Sequence, residues 1–495
     1  MHMQINPYIF REYDIRGVAG ERFSPEEIAE YEKWYGPFPG VTITPEIAER
    51  IGRAYATIIR RKRGKRIVVG REIRPFAREL TESFIAGARA AGCDVTDLGE
   101  GVTPLVYFAV AAFGFDGGVN VTGSHNVYFY NGFKLTGRNV DPIFGEELQR
   151  LKIMVEREDF VSGTGGYQRE NFLPAYQEAI RRRVRLARPL KVVLDCGNGS
   201  TGILAPQLLE SLGCDVVGLY TEPNARFPNH IPDPEMPNTM VELGERVRTE
   251  GADLGIALDA DGDRVGFVTE RGEFVDADLF ILLLARDVLR RHPGEKILYD
   301  VKCSRLLGEL IPGYGGIPLM HRTGHGPIKA TMRRDTNIAF GGEVSGHFYF
   351  VEDWFRFDDG LLGAAKVLEL AAGTEAPFSS LFVDIPKTIR TPELKLPCAD
   401  EEKFAVVADI TRIFSQRYRT ITIDGVRVLF DEKSWALVRA SNTSAYLTVR
   451  AEADTEERLL EIKNVFADVL ERFPQVADRL NRKAIASFTG RLGWV

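Results

Sequence analysis

Three carboxylates stand together directly after an apolar run of the chain. Asp259, Asp261 and Asp263 alternate with small residues, and the preceding run predicts a buried strand. In an extended segment, positions i, i+2 and i+4 share one face, so the three side chains can converge on one hard cation. Unpaired carboxylates at this spacing would repel one another, and a divalent metal removes that repulsion. Because Arg264 adds a fixed cation just beyond them, the sequence predicts metal-assisted chemistry that involves phosphate.

Two other interpretations of this acidic cluster have to be weighed. A calcium-binding EF-hand also begins with alternating aspartates, and Glu270 falls at its twelfth position. However, an EF-hand needs glycine at the sixth position, where this chain has Arg264, and the flanking segments predict strands instead of helices. The sequence therefore excludes an EF-hand. A solvated acidic turn is the remaining alternative, and the cluster alone leaves it open.

A hydroxyl and an imidazole on adjacent residues mark a second candidate loop. Ser124 and His125 follow an apolar, glycine-containing stretch, and they suit a nucleophile or a phosphate carrier. The Gly-x-Ser-x-Gly frame of a hydrolase elbow is absent. A tight turn at Asn131 and Gly132 would carry Lys134 back toward the same loop. A surface turn is the alternative for that segment.

Three further segments carry groups that suit an anionic sugar. Residues 10–17 hold two arginines, which can grip phosphate oxygens in pairs. Residues 341–347 present a carboxylate, a hydroxyl and an imidazole between glycines, and such groups bind sugar hydroxyls or move a proton. Residues 438–444 combine an arginine with hydroxyl and amide side chains, which indicates an anion nest. Each segment alone is also compatible with an ordinary turn or a charged surface.

The composition indicates a multidomain protein of enzyme size. A chain of 495 residues exceeds what one core normally holds, and 44% hydrophobic with 27% charged residues is ordinary for a soluble protein. The net charge of −7 gives no indication of a nucleic-acid partner, and the longest apolar stretch, residues 279–285, is too short to span a bilayer. Five scattered cysteines without metal-ligand pairing predict buried thiols in a reducing cytoplasm.

Strand and helix patterns divide the chain into four predicted domains. A strand–helix–strand order begins near Arg66, Leu190 and Lys296, and it predicts three similar α/β modules with mixed, largely parallel sheets. The C-terminal segment pairs helices with neighbouring strands, which predicts a smaller α+β domain. The glycine-rich stretch 162–166 is the clearest linker. We place the domains at residues 1–163, 164–270, 271–389 and 390–495.

Taken together, these segments resemble the α-D-phosphohexomutase superfamily, and most closely its phosphomannomutase/phosphoglucomutase members. The resemblance covers nearly the whole chain and keeps the order of five motifs, at residues 13–17, 122–126, 259–264, 342–347 and 439–443. It implies four domains around one central cleft, with one loop from each domain reaching the substrate.

The resemblance also implies roles for individual residues. Ser124 would carry the phosphoryl group, and its phosphate would join Asp259, Asp261 and Asp263 in holding one Mg²⁺ per chain. The residues expected to assist proton and phosphoryl transfer are Arg16, His125, Lys134, Arg264 and His347. The residues expected to contact the sugar phosphate are Tyr13, Lys302, Gly324, His325, Glu343, Val344, Ser345, Gly346, Arg439, Ser441, Asn442 and Thr443.

The implied reaction interconverts hexose 1-phosphate and hexose 6-phosphate, of mannose, glucose or both, through a hexose 1,6-bisphosphate that also serves as activator. The implied partners are small sugar phosphates, with no nucleic acid or membrane, and the protein would be a monomer or small homo-oligomer. Residues 343–346 read Glu-Val-Ser-Gly, closer to the Glu-Met-Ser-Gly of the dual mannose/glucose enzymes than to the Glu-Gln-Ser-Gly of phosphoglucosamine mutases. A phosphoglucosamine mutase and a non-catalytic sugar-phosphate-binding homologue are the alternatives.

The chain departs from the family pattern at several positions. Gly123 stands where alanine is usual, which predicts a looser backbone, and Val127 stands where proline is usual. The aromatic run 128–130 is uncommon, and residues 21–41 have no counterpart in the basic pattern. This inserted segment carries several aromatic side chains and three prolines without a clear period. We expect it to form either an added lobe or an oligomer contact.

Overall fold

Three mixed α/β sheets and one antiparallel sheet build the protein. The computed structural model describes residues 5–35, 37–352, 354–442 and 444–477. Each of the first three sheets has parallel strands in its centre and antiparallel strands at one edge, whereas the fourth is antiparallel. The predicted fold class, three α/β modules and a smaller α+β domain around one cleft, is confirmed.

The first domain holds a six-stranded sheet. Its elements are β1 (Ile15–Val18), α1 (Pro25–Tyr35), α2 (Pro45–Arg61), β2 (Arg66–Arg71), α3 (Ala77–Ala90), β3 (Asp94–Glu100), α4 (Thr103–Phe113), β4 (Gly117–Val121), β5 (Tyr130–Gly137), α5 (Glu146–Arg157) and β6 (Tyr167–Arg169). The strand order is β1-β5-β4-β2-β3-β6, and β5 runs antiparallel to both of its neighbours. The loop between β4 and β5, which carries Ser124, therefore lies at the carboxyl end of a central parallel strand.

The second and third domains repeat this plan with fewer strands. The second contains α6 (Leu173–Arg181), β7 (Leu190–Asp195), α7 (Ala205–Leu212), β8 (Cys214–Leu219), α8 (Val241–Glu250), β9 (Leu254–Leu258), β10 (Val265–Thr269) and β11 (Phe274–Val275). The third contains α9 (Ala277–Arg291), β12 (Lys296–Asp300), α10 (Leu306–Leu310), β13 (Ile317–His321), α11 (His325–Arg334), β14 (Ile338–Gly342), β15 (Phe348–Phe350) and α12 (Gly360–Ala372). Their strand orders are β11-β10-β9-β7-β8 and β13-β12-β14-β15. Because β6 pairs with β3 and β11 pairs with β10, the first and second sheets extend past the predicted domain boundaries at residues 163 and 270.

The fourth domain packs helices on one antiparallel sheet. Its elements are β16 (Ile389–Arg390), β17 (Leu394–Pro397), α13 (Lys403–Ser415), β18 (Arg419–Ile421), β19 (Val426–Leu429), β20 (Trp435–Ala440), β21 (Tyr446–Ala453), α14 (Glu456–Leu470) and α15 (Pro474–Ala477). The central path is β16-β21-β20-β19-β18, and β17 also pairs with β21. The turn between β20 and β21 carries the predicted anion nest.

The apolar cores explain how the domains are joined. One continuous core runs through the first three domains and includes side chains of α4, α7, α9 and α12. The fourth domain has a separate core between its sheet and the helices α13 and α14. It meets the third domain through a small cluster of Val301, Trp435 and Leu437. The first three domains are therefore packed as one unit, to which the fourth is attached by a smaller contact.

Residues 21–41 contain a helix that the sequence pattern did not indicate. Among the side chains of α1 that the structure describes, at residues 25–32, only Tyr31 is buried. All five cysteines are free and buried, as predicted. Among the described residues, no helix has both the length and the apolar character needed to cross a membrane.

Candidate active site

One cleft lies where the four domains meet, and most of the predicted site residues line it. The first two domains contribute Tyr13, Arg16, Ser124, His125, Lys134 and Arg264. The third and fourth contribute Lys302, Gly324, His325, Glu343, Ser345, His347, Arg439, Ser441 and Asn442. Two predicted contacts lie elsewhere: Val344 belongs to the apolar core, and Gly346 packs against Val265 of β10. Thr443 lies outside the described residues.

The turn after β4 holds Ser124 in a strained backbone conformation. Its φ is +53°, in the left-handed region that residues other than glycine rarely adopt. The Ser124 amide donates to Thr122 Oγ1 over 2.7 Å, and Ser124 Oγ lies 3.2 Å from His125 Nδ1. Burial, together with the cations of Arg264 and Lys395, lowers the pKa of His125 well below its ordinary value. The imidazole is therefore neutral near pH 7 and can accept a proton.

A buried ion pair beneath this turn was not indicated by the sequence motifs. Glu72 and Arg74 are both fully buried, with Arg74 Nε 2.6 Å from Glu72 Oε1. The guanidinium of Arg74 also donates to backbone carbonyls of the loop, at 2.5 Å for Ser124, 2.7 Å for Asn126, 3.2 Å for Tyr130, and in addition for Val127. One arginine therefore fixes the direction of the peptide groups around Ser124. The sequence feature that could have indicated this pair is the presence of two charged residues, Glu72 and Arg74, shortly after the apolar strand β2.

Gly123 is required by close packing, so the looser backbone expected from the sequence is wrong. A Cβ atom at this position would lie 2.2 Å from the Tyr130 carbonyl oxygen and 2.8 Å from Arg74 Cζ. The Gly123 amide also donates to the Glu72 carboxylate. The glycine lets the serine turn pack closely against Arg74 and Glu72, and this packing restricts the turn.

The three aspartates occupy the tight turn between β9 and β10. They are completely buried, and one ligand atom of each lies within 4.8 Å of the others. Asp259 Oδ2, Asp261 Oδ1 and Asp263 Oδ1 have no hydrogen-bond partner among the described residues. Burial, and then the charges of Asp263 and Asp261, raise the pKa of Asp259 well above its ordinary value. Unpaired and mutually repelling oxygens are the donors that a hard divalent cation satisfies, so these residues fit Mg²⁺.

Side chains of the first domain fasten the acidic turn to the serine turn. Lys134 Nζ lies 2.8 Å from Asp261 Oδ2 and also contacts Asp263. The hydroxyls of Thr103 and Thr122 donate to the same Asp261 oxygen over 2.6 Å and 3.1 Å. Burial alone would lower the pKa of Lys134, but the two aspartates raise it above its ordinary value. Lys134 is therefore charged, and it brings the predicted metal ligands beside Ser124.

His347 connects the acidic turn to the sugar-facing loop. Its Nε2 lies 3.6 Å from Asp263 Oδ1, and its Nδ1 lies 2.9 Å from Ser345 Oγ. The carboxylate of Glu343 lies 3.4 Å from the same ring and accepts a hydrogen bond from the Gly324 amide at 2.7 Å. The third-domain loop is therefore pre-ordered by hydrogen bonds, and Glu343 and Ser345 line the cleft.

Carboxylates of the second and fourth domains pair with two of the cleft cations. Arg264 lies 3.6 Å from Asp233 and 3.8 Å from Glu235, all in the second domain. Lys302 of the third domain lies 2.7 Å from Glu393 and 3.4 Å from Glu235. These acidic partners, and neighbouring Lys395, stand outside the sequence motifs and were missed for that reason. Lys302 thereby joins the second, third and fourth domains at the base of the cleft.

The predicted anion nest of the fourth domain is held by an ion pair and a hydrogen bond. Arg439 Nε lies 2.9 Å from Asp424 Oδ2. Asn442 Nδ2 donates to the Tyr13 hydroxyl at 2.5 Å, and that hydroxyl donates to the Thr323 carbonyl at 2.7 Å. Tyr13 of the first domain therefore touches both the third and the fourth domain, and it closes one side of the cleft.

Asp14, which the sequence did not single out, orients two predicted site residues. Arg16 Nη2 lies 3.1 Å from its carboxylate, and His325 Nε2 lies 3.2 Å from the same oxygen. Burial would raise the pKa of Asp14, but His325 and Arg16 hold it well below its ordinary value. Arg16 pairs across β1 and β5 with Gly132, where a Cβ would lie 1.9 Å from Ile15 O. The close strand approach brings Arg16 beside the serine turn.

Comparison with known proteins agrees with this architecture. The chain matches the phosphoglucomutase/phosphomannomutase models for alpha/beta/alpha domain I at residues 7–162, domain II at 174–272, domain III at 276–389, and the C-terminal domain at 393–469. The chain belongs to this family. A phosphomannomutase/phosphoglucomutase of Pseudomonas aeruginosa is 42% identical over 464 residues, which cover 94% of this chain and 95% of that protein.

Two further relatives support the same membership. A phosphoglucomutase of Neisseria gonorrhoeae is 37% identical over 477 residues, covering 94% of this chain and 98% of that protein. The crystal structure of a phosphoglucomutase/phosphomannomutase family protein from Burkholderia thailandensis superposes with a TM-score of 0.84 at 37% identity, covering 95% and 98% of the two chains. The predicted superfamily is confirmed. As a member of the phosphoglucomutase/phosphomannomutase family, the protein is a phosphotransferase with hexose phosphate mutase function.

Proposed function

We propose that Ser124 carries the phosphoryl group in a mutase reaction on both mannose and glucose phosphates. The observation that carries this proposal is the position of Ser124: it is buried, left-handed in φ, and linked through Thr122 to Asp261, one of three clustered aspartates with orphaned oxygens. One Mg²⁺ per chain, held by these aspartates and the serine phosphate, would neutralise charge on the transferred group.

The reaction consists of two transfers in opposite directions. In the first, the phosphoryl group passes from Ser124 Oγ to the free 6-hydroxyl of a hexose 1-phosphate: the Oγ–phosphorus bond breaks, an O6–phosphorus bond forms, the hydroxyl proton passes to a base, and Ser124 Oγ takes up a proton. The resulting hexose 1,6-bisphosphate reorients within the cleft. In the second, the O1–phosphorus bond breaks as the phosphoryl group returns to Ser124 Oγ, the serine proton passes to His125 Nδ1 at 3.2 Å, and O1 takes up a proton. Arg16, Lys134, Arg264 and His347 stabilise the charge that accompanies both transfers.

The other end of the sugar requires a clamp that accepts either phosphate. We assign this role to Arg439, Ser441 and Asn442, with Tyr13, Lys302 and His325 beside the phosphate and the ring. Glu343 and Ser345 face the sugar hydroxyls. A loop that binds the 3- and 4-hydroxyls leaves the 2-position free, so both epimers at C2 fit. Since the fourth domain has its own core, it can move away from the other three domains while the bisphosphate reorients.

A competition assay tests the proposal. Mannose 1-phosphate and glucose 1-phosphate, each with Mg²⁺ and a hexose 1,6-bisphosphate activator, should both yield the 6-phosphate. Faster turnover of glucosamine 1-phosphate would instead favour a phosphoglucosamine mutase, and no turnover of any sugar would refute the reaction. Intact mass should show one added phosphate on the wild type and none on Ser124→Ala. The buried free cysteines suit a cytoplasmic enzyme, and light scattering should show a monomer or small homo-oligomer.

A further inference from the structure

The inserted lobe, residues 21–41, packs on the aromatic run that follows Ser124. Phe23 lies 5.3 Å from Phe129, and Tyr31 lies 6.3 Å from the same ring, measured between ring centroids. Phe38 completes the cluster at 5.0 Å from Phe23 and 5.3 Å from Tyr31. Two departures from the family pattern, far apart in sequence, are therefore in direct contact.

The lobe leaves the first sheet and returns to it at the same point. The Val18 carbonyl accepts from the amides of Thr42 at 2.9 Å and Ile43 at 3.0 Å, and the Val18 amide donates to Thr42 Oγ1 at 2.8 Å. The Ala19 amide donates to the Phe129 carbonyl at 3.0 Å. The lobe therefore begins and ends beside Val18, at the end of β1. It is hydrogen-bonded directly to the segment between Ser124 and Lys134.

The serine loop is held from two sides. Arg74 binds its carbonyl oxygens from beneath, as described above. The side chains of Val127, Phe129 and Tyr130, which are 3% to 5% exposed, pack instead with Val18 and the lobe. Residue 127 is valine and not proline, so no ring fixes its φ and the backbone here has no intrinsic constraint of that kind. The aromatic contacts supply the constraint from outside the loop.

The lobe also ties this loop to the second domain. The Arg226 guanidinium lies 5.3 Å from the centroid of Tyr128, and its Nη1 is 3.4 Å from the Tyr128 hydroxyl. The same group lies 3.9 Å from Glu27 of the lobe. Ile231, a few residues further along, packs on the aromatic cluster and lines the cleft. The contacts therefore continue from the lobe to the cleft wall.

We propose that the lobe is a positioning element that keeps the Ser124 turn aimed into the cleft. This inference rests on the proposed role of Ser124 as phosphoryl carrier. Its consequence is specific: weakening the lobe lowers kcat and shortens the lifetime of the phosphoserine, while KM changes little, because the sugar-binding groups lie on other loops. A lobe with only a stabilising role would lower thermal stability and leave these quantities unchanged.

The double variant Phe23→Ala/Phe38→Ala tests this inference, since it removes two aromatic side chains of the lobe cluster and leaves residues 122–134 intact. Phe430→Ala is the matched control, because Phe430 is likewise half-buried but packs on the core of the fourth domain. We expect kcat to fall about tenfold in the double variant, with KM within about twofold, as expected for misplacement of a reacting group. Loss of phosphate from Ser124, followed by intact mass without substrate, should be faster, and hydrogen exchange over residues 122–131 should increase.

A second variant covers the case in which the double variant does not fold. Glu27→Gln/Arg226→Met removes the exposed ion pair between the lobe and the second domain, together with the contact of Arg226 with Tyr128, and it should also shorten the phosphoserine lifetime. Values of kcat and phosphoserine lifetime equal to those of Phe430→Ala in the folded variants would overturn the inference. Absence of turnover and of phosphate on wild-type Ser124 would instead refute the proposed function, so the two failures are distinguishable.

Discussion

Lys134 Nζ lies 2.8 Å from Asp261 Oδ2, so a lysine of the first domain is paired with an aspartate of the second. The lysine also contacts Asp263, and both carboxylates have a second oxygen without a hydrogen-bond partner among the described residues. A divalent cation at this turn would share its ligands with a fixed ammonium group. We therefore expect Lys134 to weaken Mg²⁺ binding and to assist phosphoryl transfer.

Lys134→Met is expected to strengthen Mg²⁺ binding while it weakens catalysis. Removing a positive charge a few ångströms from the cation should lower the Kd for Mg²⁺ by about tenfold or more, because the remaining carboxylates attract it without competition. The value of kcat should fall about 100-fold or more, since the transferred group loses a neutralising cation. Calorimetric titration of Mg²⁺ into dephosphorylated protein measures the first effect. Lys433→Met, at an exposed lysine, is the control, and weaker Mg²⁺ binding in Lys134→Met would contradict the prediction.

Asp259→Asn should separate metal binding from stability. The raised pKa of Asp259 reflects burial beside two other carboxylates, so its charge destabilises the metal-free fold. In EDTA at pH 7.5 we expect the free energy of unfolding to increase by about 1 kcal/mol or more. With excess Mg²⁺ the variant should gain less stability than the wild type and turn over more slowly. Urea titrations with and without Mg²⁺ measure the two changes in stability, and steady-state kinetics measure the turnover. Asp215→Asn at an exposed position is the control. A decrease in stability in EDTA would refute this account.

The Glu72–Arg74 pair allows stability and loop geometry to be varied separately. Arg74→Met leaves a buried carboxylate unpaired, which should cost about 3–5 kcal/mol of unfolding free energy. Glu72→Gln/Arg74→Met removes both charges and should recover part of that loss. The value of kcat should remain reduced by about 100-fold in both, because the carbonyls of the serine turn lose their common donor.

Urea unfolding and steady-state kinetics of the two variants check this prediction. Glu178→Gln/Arg182→Met, at an exposed pair on α6, provides the control for charge removal alone. A double variant with wild-type kcat would show that the pair acts only on stability.

The predictable part of the site lies in short motifs, and the unpredictable part lies in long-range contacts. Asp259–Asp263 and Ser124 each follow an apolar strand within a few residues, so pattern and composition locate them. Arg74 is fifty residues from Ser124, and their hydrogen bond follows from the neighbouring positions of β2 and β4 in the sheet. No local pattern contains that information.

The inserted segment illustrates the same limit. Its helix α1 contacts the aromatic run 128–130 through Tyr31, and the sequence pattern of this segment, which holds three prolines, did not indicate a helix. Both segments were visible as departures from the family pattern. Their contact became apparent only with the fold, because it depends on the pairing of β1 with β5.

Asp359→Asn should remove a pH-dependent loss of stability near neutrality. Burial raises the pKa of Asp359 to about 7, even though the Leu362 amide and the Tyr176 hydroxyl donate to its carboxylate. In the unfolded chain this pKa is about 3.9. The folded state therefore binds an extra proton between these two values. Its stabilising effect is complete below about pH 4 and is lost as pH rises through about 7.

Asparagine keeps the cap on α12 and can accept the tyrosine hydroxyl, but it has no charge to bury. Asp359→Asn should therefore raise the free energy of unfolding by roughly 1–3 kcal/mol at pH 8, and by much less at pH 4.5. Urea titrations of wild type and variant over this range measure the difference, and Asp409→Asn at an exposed site on α13 is the control. A difference that is constant with pH would show that Asp359 is ionised in the folded protein throughout the range.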